Sequence, residues 1–275
     1  MAAKAFIAAG AAVFSLFISS LHAQTTRPGG DAWQPLFNGR DISGWYTNLK
    51  GLGKDKDPDR IFQVHDGMIH IYKDAVQGSP MPFGYICTAK ECGDCRIRFQ
   101  YKWGEKRFVP RTDKRRDSGC LYFMWGEDPA PDAKSIWPKS IECQVQENDV
   151  GDIYAIGTQC SATVDPATAN QKQPTFKDGG VAFTTINSGN DRIVRSVMLE
   201  KEGWNVVEIV LEKDGATHIV NGTVNMKITH VARKDAEKAD QLVPVNRGRI
   251  LFQAEGAEVM FKNIEVCPVS KSASP

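Results

Sequence analysis

Between residues 140 and 146 the chain reads SIECQVQ, and Glu142, Gln144 and Gln146 alternate with Ile141, Cys143 and Val145. Strand side chains alternate faces with period two, so one carboxylate and two amides share a face and the apolar trio shares the other. Two readings are open. One is an antiparallel strand with a wet face; the other is the floor of a cleft that meets a polar ligand. A carboxylate among amides can take a proton, give one, or ligate a hard cation. Gly119, in RDSGCLYF (116–123), either lets a substrate approach the backbone or marks a bulge. Tyr154 can stack on or hydrogen-bond a ligand, or serve the core.

Other reactive side chains offer less. Seven cysteines are present, Cys87, Cys92, Cys95, Cys120, Cys143, Cys160 and Cys267. Cys92-Gly-Asp-Cys95 has no second CxxC and no nearby His pair, so a local disulfide or turn thiols suit it better than zinc. His65, His70, His218 and His230 lack the spacing of a metal helix such as HExxH. The basic run EKRFVPRTDKRR (105–116) reads as solvated loop charge or as the rim of a cleft for an anionic or polar substrate.

These residues must be positioned by strands. Short apolar or alternating runs recur at 61–72, 84–89, 95–103, 119–125, 140–146, 180–186, 204–228, 248–255 and 258–266, divided by Gly, Asn, Asp and Pro. Their spacing predicts an all-β sandwich. Asp66-Gly67, Asp214-Gly215 and Asn221-Gly222 are hairpin signals. Only 231–240 carries a helical rhythm, of a turn or two, and 161–179 reads as a long loop. Trp33, Trp45 and Trp204 are expected as core anchors, and Asn38, Gly39, Asn221 and Gly222 as turn residues.

The chain has 275 residues, 41% hydrophobic and 24% charged, ordinary for a globular protein. Residues 1–23 have the layout of a secretory signal peptide, with Lys4 before an apolar run and Ala23 at the cut. Residues 24–32 read as a linker, 33–267 as one domain and 268–275 as a tail. The leader holds one of the 34 basic side chains and none of the 33 acidic ones, so the mature chain is neutral. It has no overall field to draw in nucleic acid. A periplasmic or secreted protein without stable membrane insertion is expected, an uncleaved N-terminal anchor being the alternative.

Three groups of residues carry a family resemblance: WQPLFNGRDISGW (33–45), RDSGCLYF with IECQVQ, and GWNVVEIV, IVNG and ILFQAEGAEVMFKNIEV near the end. In this order they resemble the 3-keto-disaccharide hydrolases, also described as 3-keto-glucoside lyases and 3-keto-2-hydroxyglucal hydratases, over roughly 33–267. The resemblance implies a concanavalin A-like jelly roll of two antiparallel sheets and an oxidised, 3-keto sugar as substrate. It casts Glu142 as base or metal ligand with Gln144 beside it, Asp117 as a second acid, base or ligand, and Lys102 as an enolate-stabilising cation. Asp117 stands where the family has Asn, and Lys102 also reads as a solvated strand lysine. Where the family often has Arg, the chain offers Phe123 and Trp125, an aromatic floor in place of a fixed cation. No cofactor is certain; a divalent metal would suit the oxygen ligands. The alternatives to an enzyme are a carbohydrate-binding module of the cell envelope and an interaction scaffold, since a jelly roll serves all three.

Overall fold

The computed structural model describes residues 32–186, 191–238 and 240–269. The leader at 1–23, all but the last residue of the 24–32 linker, and the end of the 268–275 tail lie outside the described residues. Two antiparallel sheets account for the strands, as the turn chemistry predicts. One sheet runs, edge to edge, Asp191–Ile193, Ile153–Ile156, Ser140–Gln146, Asp117–Met124, Arg249–Ala254, Gly84–Thr88, Trp45–Leu49 and Gly53–Lys54. The other centres on Asn205–Glu212, Cys95–Arg107 and Ala257–Pro268. It is a concanavalin A-like jelly-roll sandwich.

The alternating residues Ile141, Cys143 and Val145 face the interlayer core, together with Ile97, Phe99, Val207 and Ile209 from the opposite sheet. Phe252 joins the layers by packing on Phe261 at 4.7 Å and edge-on against Phe99 at 5.0 Å. Such aromatic pairs contribute about 0.5–1.5 kcal/mol each beyond the area they bury. Asp66-Gly67 and Asn221-Gly222 form two-residue hairpin turns, all four residues with positive φ. In the third turn Lys213, not Gly215, takes the left-handed conformation.

Several local expectations fail for tertiary reasons. Residues 231–234 continue the strand Thr223–Lys234, paired with Leu242–Pro244, so no helix forms there. Asp235 instead accepts the amides of Glu237 and Lys238 in a turn. The predicted long loop begins as a strand, Gln159–Val164. Trp45 is a core residue as expected, but Trp33 lies over Arg98 and Trp204 over Lys262, outside the core. Cys92 and Cys95 form a disulfide.

His218 links the layers from within. Its Nδ1–H donates to the Gly151 carbonyl and its Nε2 accepts from the Tyr122 hydroxyl, both at 2.9 Å. A carbonyl can only accept, which fixes the neutral tautomer. Burial, against the Gly151 hydrogen bond, pushes the imidazole down to about 4. The unfolded chain therefore binds a proton between pH 6.5 and 4 that the folded chain refuses, and this group's contribution is lost as pH falls through that window. Denaturant titrations of the wild type and His218→Gln should show a stability gap that narrows, by roughly 3 kcal/mol at most, from pH 6.5 to 4. A gap independent of pH would contradict the neutral buried imidazole.

Candidate functional site

The polar residues of the 140–146 strand face away from the core. Glu142, Gln144 and Gln146 line a cavity of about 210 Å³ on the outer face of the eight-stranded sheet, with Asp117, Arg111, Gln253, Glu255, Tyr154, Ile156 and Trp137. Register sets the layout. Asp117 pairs with Gln146, Gly119 with Gln144 and Leu121 with Glu142, while Tyr154 lies opposite Glu142 on the other side. The cleft reading of the alternation is the one the side chains adopt.

Gly119 is the reason Glu142 and Gln253 converge. A Cβ there would stand 2.3 Å from Glu142 Oε1 and 2.4 Å from Gln253 Oε1, so both side chains lean over the bare backbone. Glu142 thus reaches along the diagonal toward Asp117 instead of standing over Leu121.

The charge balance is unusual. Asp117 is 3% exposed, and its Oδ2 accepts from Arg111 at 2.5 Å and from Gln146. Arg111 also pairs with Glu255 at 3.6 Å. The loop holding Arg111 is tied to the turn at Gly256, whose carbonyl accepts from Phe108 at 2.9 Å. One guanidinium therefore faces two carboxyls, with a third, Glu142, close by. Burial pushes Asp117 up to about 6, against the pull of Arg111 and Gln146. Burial and the Asp117 charge push Glu255 up to about 8. Glu142 rises well above the carboxylate range through burial, then the charges of Glu255 and Asp117, against a hydrogen bond from Gln253. Asp117, which Arg111 and Gln146 hold, is thus the readiest of the three to ionise, while burial favours the protonated form of Glu142 and of Glu255. Asp117 Oδ1 and Gln253 Oε1 are buried with no hydrogen-bond partner among the described residues.

Of the residues expected from sequence, Glu142, Asp117, Gly119, Gln144 and Tyr154 come together, and three do not. Phe123 lies in the interlayer core against Tyr122, because a bulge at Phe123 (φ +52°) breaks the alternation of its strand. Trp125 packs between Lys139 and Arg233, away from the cavity. Lys102 sits on the other sheet, exposed in a separate groove with Trp103 and Glu200. The missing fixed cation is supplied instead by Arg111, from the run read as loop charge or as the rim of a cleft, and at this residue the rim reading is the one the structure adopts. That run is largely ion-paired: Arg107 and Arg116 meet Glu147, and Arg115 meets Asp149. Gln253 and Glu255 went unassigned, although they alternate with Phe252 and Ala254 as Glu142 does with its neighbours. For a divalent metal, no group of three or more His, Cys, Asp or Glu among the described residues is arranged to hold one.

The family described as the 3-keto-alpha-glucoside-1,2-lyase-like domain matches residues 32–267. The chain belongs to this family. Membership places it among carbohydrate-active, hydrolase-like proteins. No curated protein sequence matches it. A protein from Parabacteroides distasonis ATCC 8503 described as a "putative glycosyl hydrolase" is similar in structure at 18% identity and a TM-score of 0.50, covering 86% of this chain and 94% of that one. A second from the same organism gives 14%, 0.49, 87% and 100%. A Bacillus subtilis protein of unknown function with a galectin-like fold gives 12%, 0.43, 86% and 94%. Likeness at such identities is one of fold alone.

The raised Glu142 has a measurable consequence within this family member. Between pH 4.5 and its folded value, folding must take up a proton, so wild-type stability falls as pH rises there. Glu142→Gln removes that requirement. Its stability relative to the wild type, followed by thermal melting, should grow as pH rises above 4.5, by up to roughly 1.4 kcal/mol per pH unit until the folded-state carboxyl itself ionises. A constant or shrinking advantage would show that Glu142 is ionised in the folded protein.

Proposed function

We propose that the protein cleaves 3-keto-glycosides by elimination across C1 and C2, with hydration of the product completing a net hydrolysis. The observation that carries this reading is a buried trio of carboxyls in one small polar cavity, whose surroundings favour ionisation of Asp117, held by Arg111 and Gln146, and protonation of Glu142 and Glu255. Such a division assigns base and acid.

A C3 ketone acidifies the C2 hydrogen, because the carbanion delocalises into an enolate. Asp117 takes that proton: Oδ2 is anchored by Arg111 and Gln146, and Oδ1 is left to react. The C2–H electron pair becomes the C1=C2 double bond as the C1–O bond breaks, and Glu142 gives its proton to the departing oxygen. This exchanges the role expected of Glu142 from sequence, where it reads first as a base. Gln144 and Tyr154 bind the ring, and Arg111 steadies negative charge. In hydration water delivers hydroxide to C1 and a proton to Glu142, while protonated Asp117 returns its proton to C2. The leader-like residues 1–23 support a periplasmic or secreted site of action.

Purified protein should turn over 3-keto-glucosides and leave the unoxidised parents intact; cleavage of the parents would instead indicate an ordinary carboxylate-pair glycosidase. Asp117→Asn should lower kcat by 10²–10⁴ for every aglycone. Glu142→Gln should do so for alcohol aglycones and be nearly normal for nitrophenolate, which departs without a proton. Equal losses on both aglycones would remove Glu142 as the acid. The wild-type profile of kcat/KM against pH should rise through about 6 as Asp117 ionises and fall at higher pH as Glu142 loses its proton.

Gly119→Ala tests the geometry alone. The atoms nearest the added methyl are the ends of two flexible side chains, Glu142 and Gln253, so the variant should fold and lose at least tenfold in kcat. Wild-type kinetics in a folded variant would show that the diagonal placement of Glu142 is irrelevant.

A further inference from the structure

The cavity is polarised along the 140–146 strand. At the Gln146 end it is walled by Asp117, Arg111 and Glu255; at the other end by Ile156 and Trp137. Ile156 pairs with Ser140, two positions beyond the Tyr154–Glu142 pair, so Glu142 marks the boundary between the two halves. Leu121, opposite Glu142, belongs with Ile136 to an apolar cluster on this outer face against which Phe83, Trp137 and Ile156 pack.

Trp137 is fixed in place before any ligand arrives. Phe83 lies nearly parallel to it, with an interplanar angle of 17° and centroids 6.3 Å apart. The loop 125–139 that holds Trp137 is pinned to the sheet by Asp128, which accepts from the hydroxyls of Tyr46 and Tyr85, each at 2.7 Å, and pairs with Arg249 at 3.3 Å. Ile136, next to Trp137, is buried in the apolar cluster. The Asp128 carboxylate is thus satisfied by groups of the sheet, and the wall that Trp137 and Ile156 offer to a ligand is indole and aliphatic carbon.

We propose that the Trp137–Ile156 end is a leaving-group subsite for an aromatic alcohol, so that the preferred substrates are 3-keto-glycosides of aromatic aglycones and not of a second sugar. This rests on the reaction proposed above, in which Glu142 protonates the departing oxygen: the sugar ring then occupies the carboxyl end and the aglycone lies beyond Glu142. A second sugar would set its hydroxyls against carbon walls without partners, at the desolvation cost of unpaired polar groups. A flat aromatic group stacks on the indole and buries apolar area.

Two measurements test this, and they separate its failure from failure of the reaction. In kinetics, benzyl and glucosyl aglycones are compared on 3-keto-glucose, because both leave as alcohols that need the Glu142 proton. The wild type should favour benzyl by at least tenfold in kcat/KM, and Trp137→Ala should bring the ratio close to one. Equal or reversed preference in the wild type, or a ratio that Trp137→Ala leaves intact, would overturn the subsite. In calorimetry, unoxidised benzyl glucoside should bind at least tenfold tighter than methyl glucoside, with the difference lost in Trp137→Ala and reduced in Trp137→Leu, which keeps the wall apolar. Equal affinities overturn the subsite whatever the chemistry. The binding difference without turnover of any 3-keto-glucoside would instead uphold the subsite and dismiss the reaction.

Discussion

The site depends on withholding water from three carboxyl groups, of which Arg111 pairs directly with two, Asp117 and Glu255. Ionising all three in that place would set like charges side by side in a low dielectric, so protons stay on the groups that Arg111 serves least. Asp117, held by Arg111 and Gln146, ionises first; Glu142, with neither, keeps its proton. The division of roles is a property of surroundings, since the two carboxyl groups are chemically alike in water.

Rigid elements maintain this arrangement at a cost to stability. Asp117, Glu142 and Gln253 stand on three adjacent strands, where backbone hydrogen bonds fix the spacing better than loops could. The bare backbone at Gly119 provides the room in which Glu142 and Gln253 converge. Burial of surplus charge lowers stability, as is common where a site needs groups that the fold would sooner exclude. The interlayer core of aliphatic and aromatic side chains supplies the compensating stabilisation, and the neutral His218 adds a polar link there without adding charge.

The loop 125–139 gives the cavity its second character. It leaves the sheet after Met124, lies across the strands that carry Tyr46, Tyr85 and Arg249, and returns at Ser140 with Trp137 against the cavity. Asp128 and Ile136 anchor it by unlike means, one with hydroxyls and a guanidinium, the other by apolar burial. A polar half made by strands therefore meets an apolar half completed by a loop, with Glu142 at the join.

Much of the sandwich was legible in the sequence, because alternation and tight turns are local: SIECQVQ announces its two faces, and Asn221-Gly222 its turn. The same rule identified Glu142 and Gln144, and applied to ILFQAE it would have added Gln253 and Glu255. It failed at Phe123, where a bulge resets the alternation, and for Lys102, since nothing local says which sheet a strand joins. Arg111 and Trp137 come from loops whose paths are set by distant contacts, at Gly256 and at the tyrosines that bind Asp128. Local pattern thus determined which residues could share a face. Only the tertiary structure decided which faces meet, how deeply the carboxyls are buried, and hence which of them carries the proton, because desolvation and charge proximity arise from packing between segments far apart in the chain.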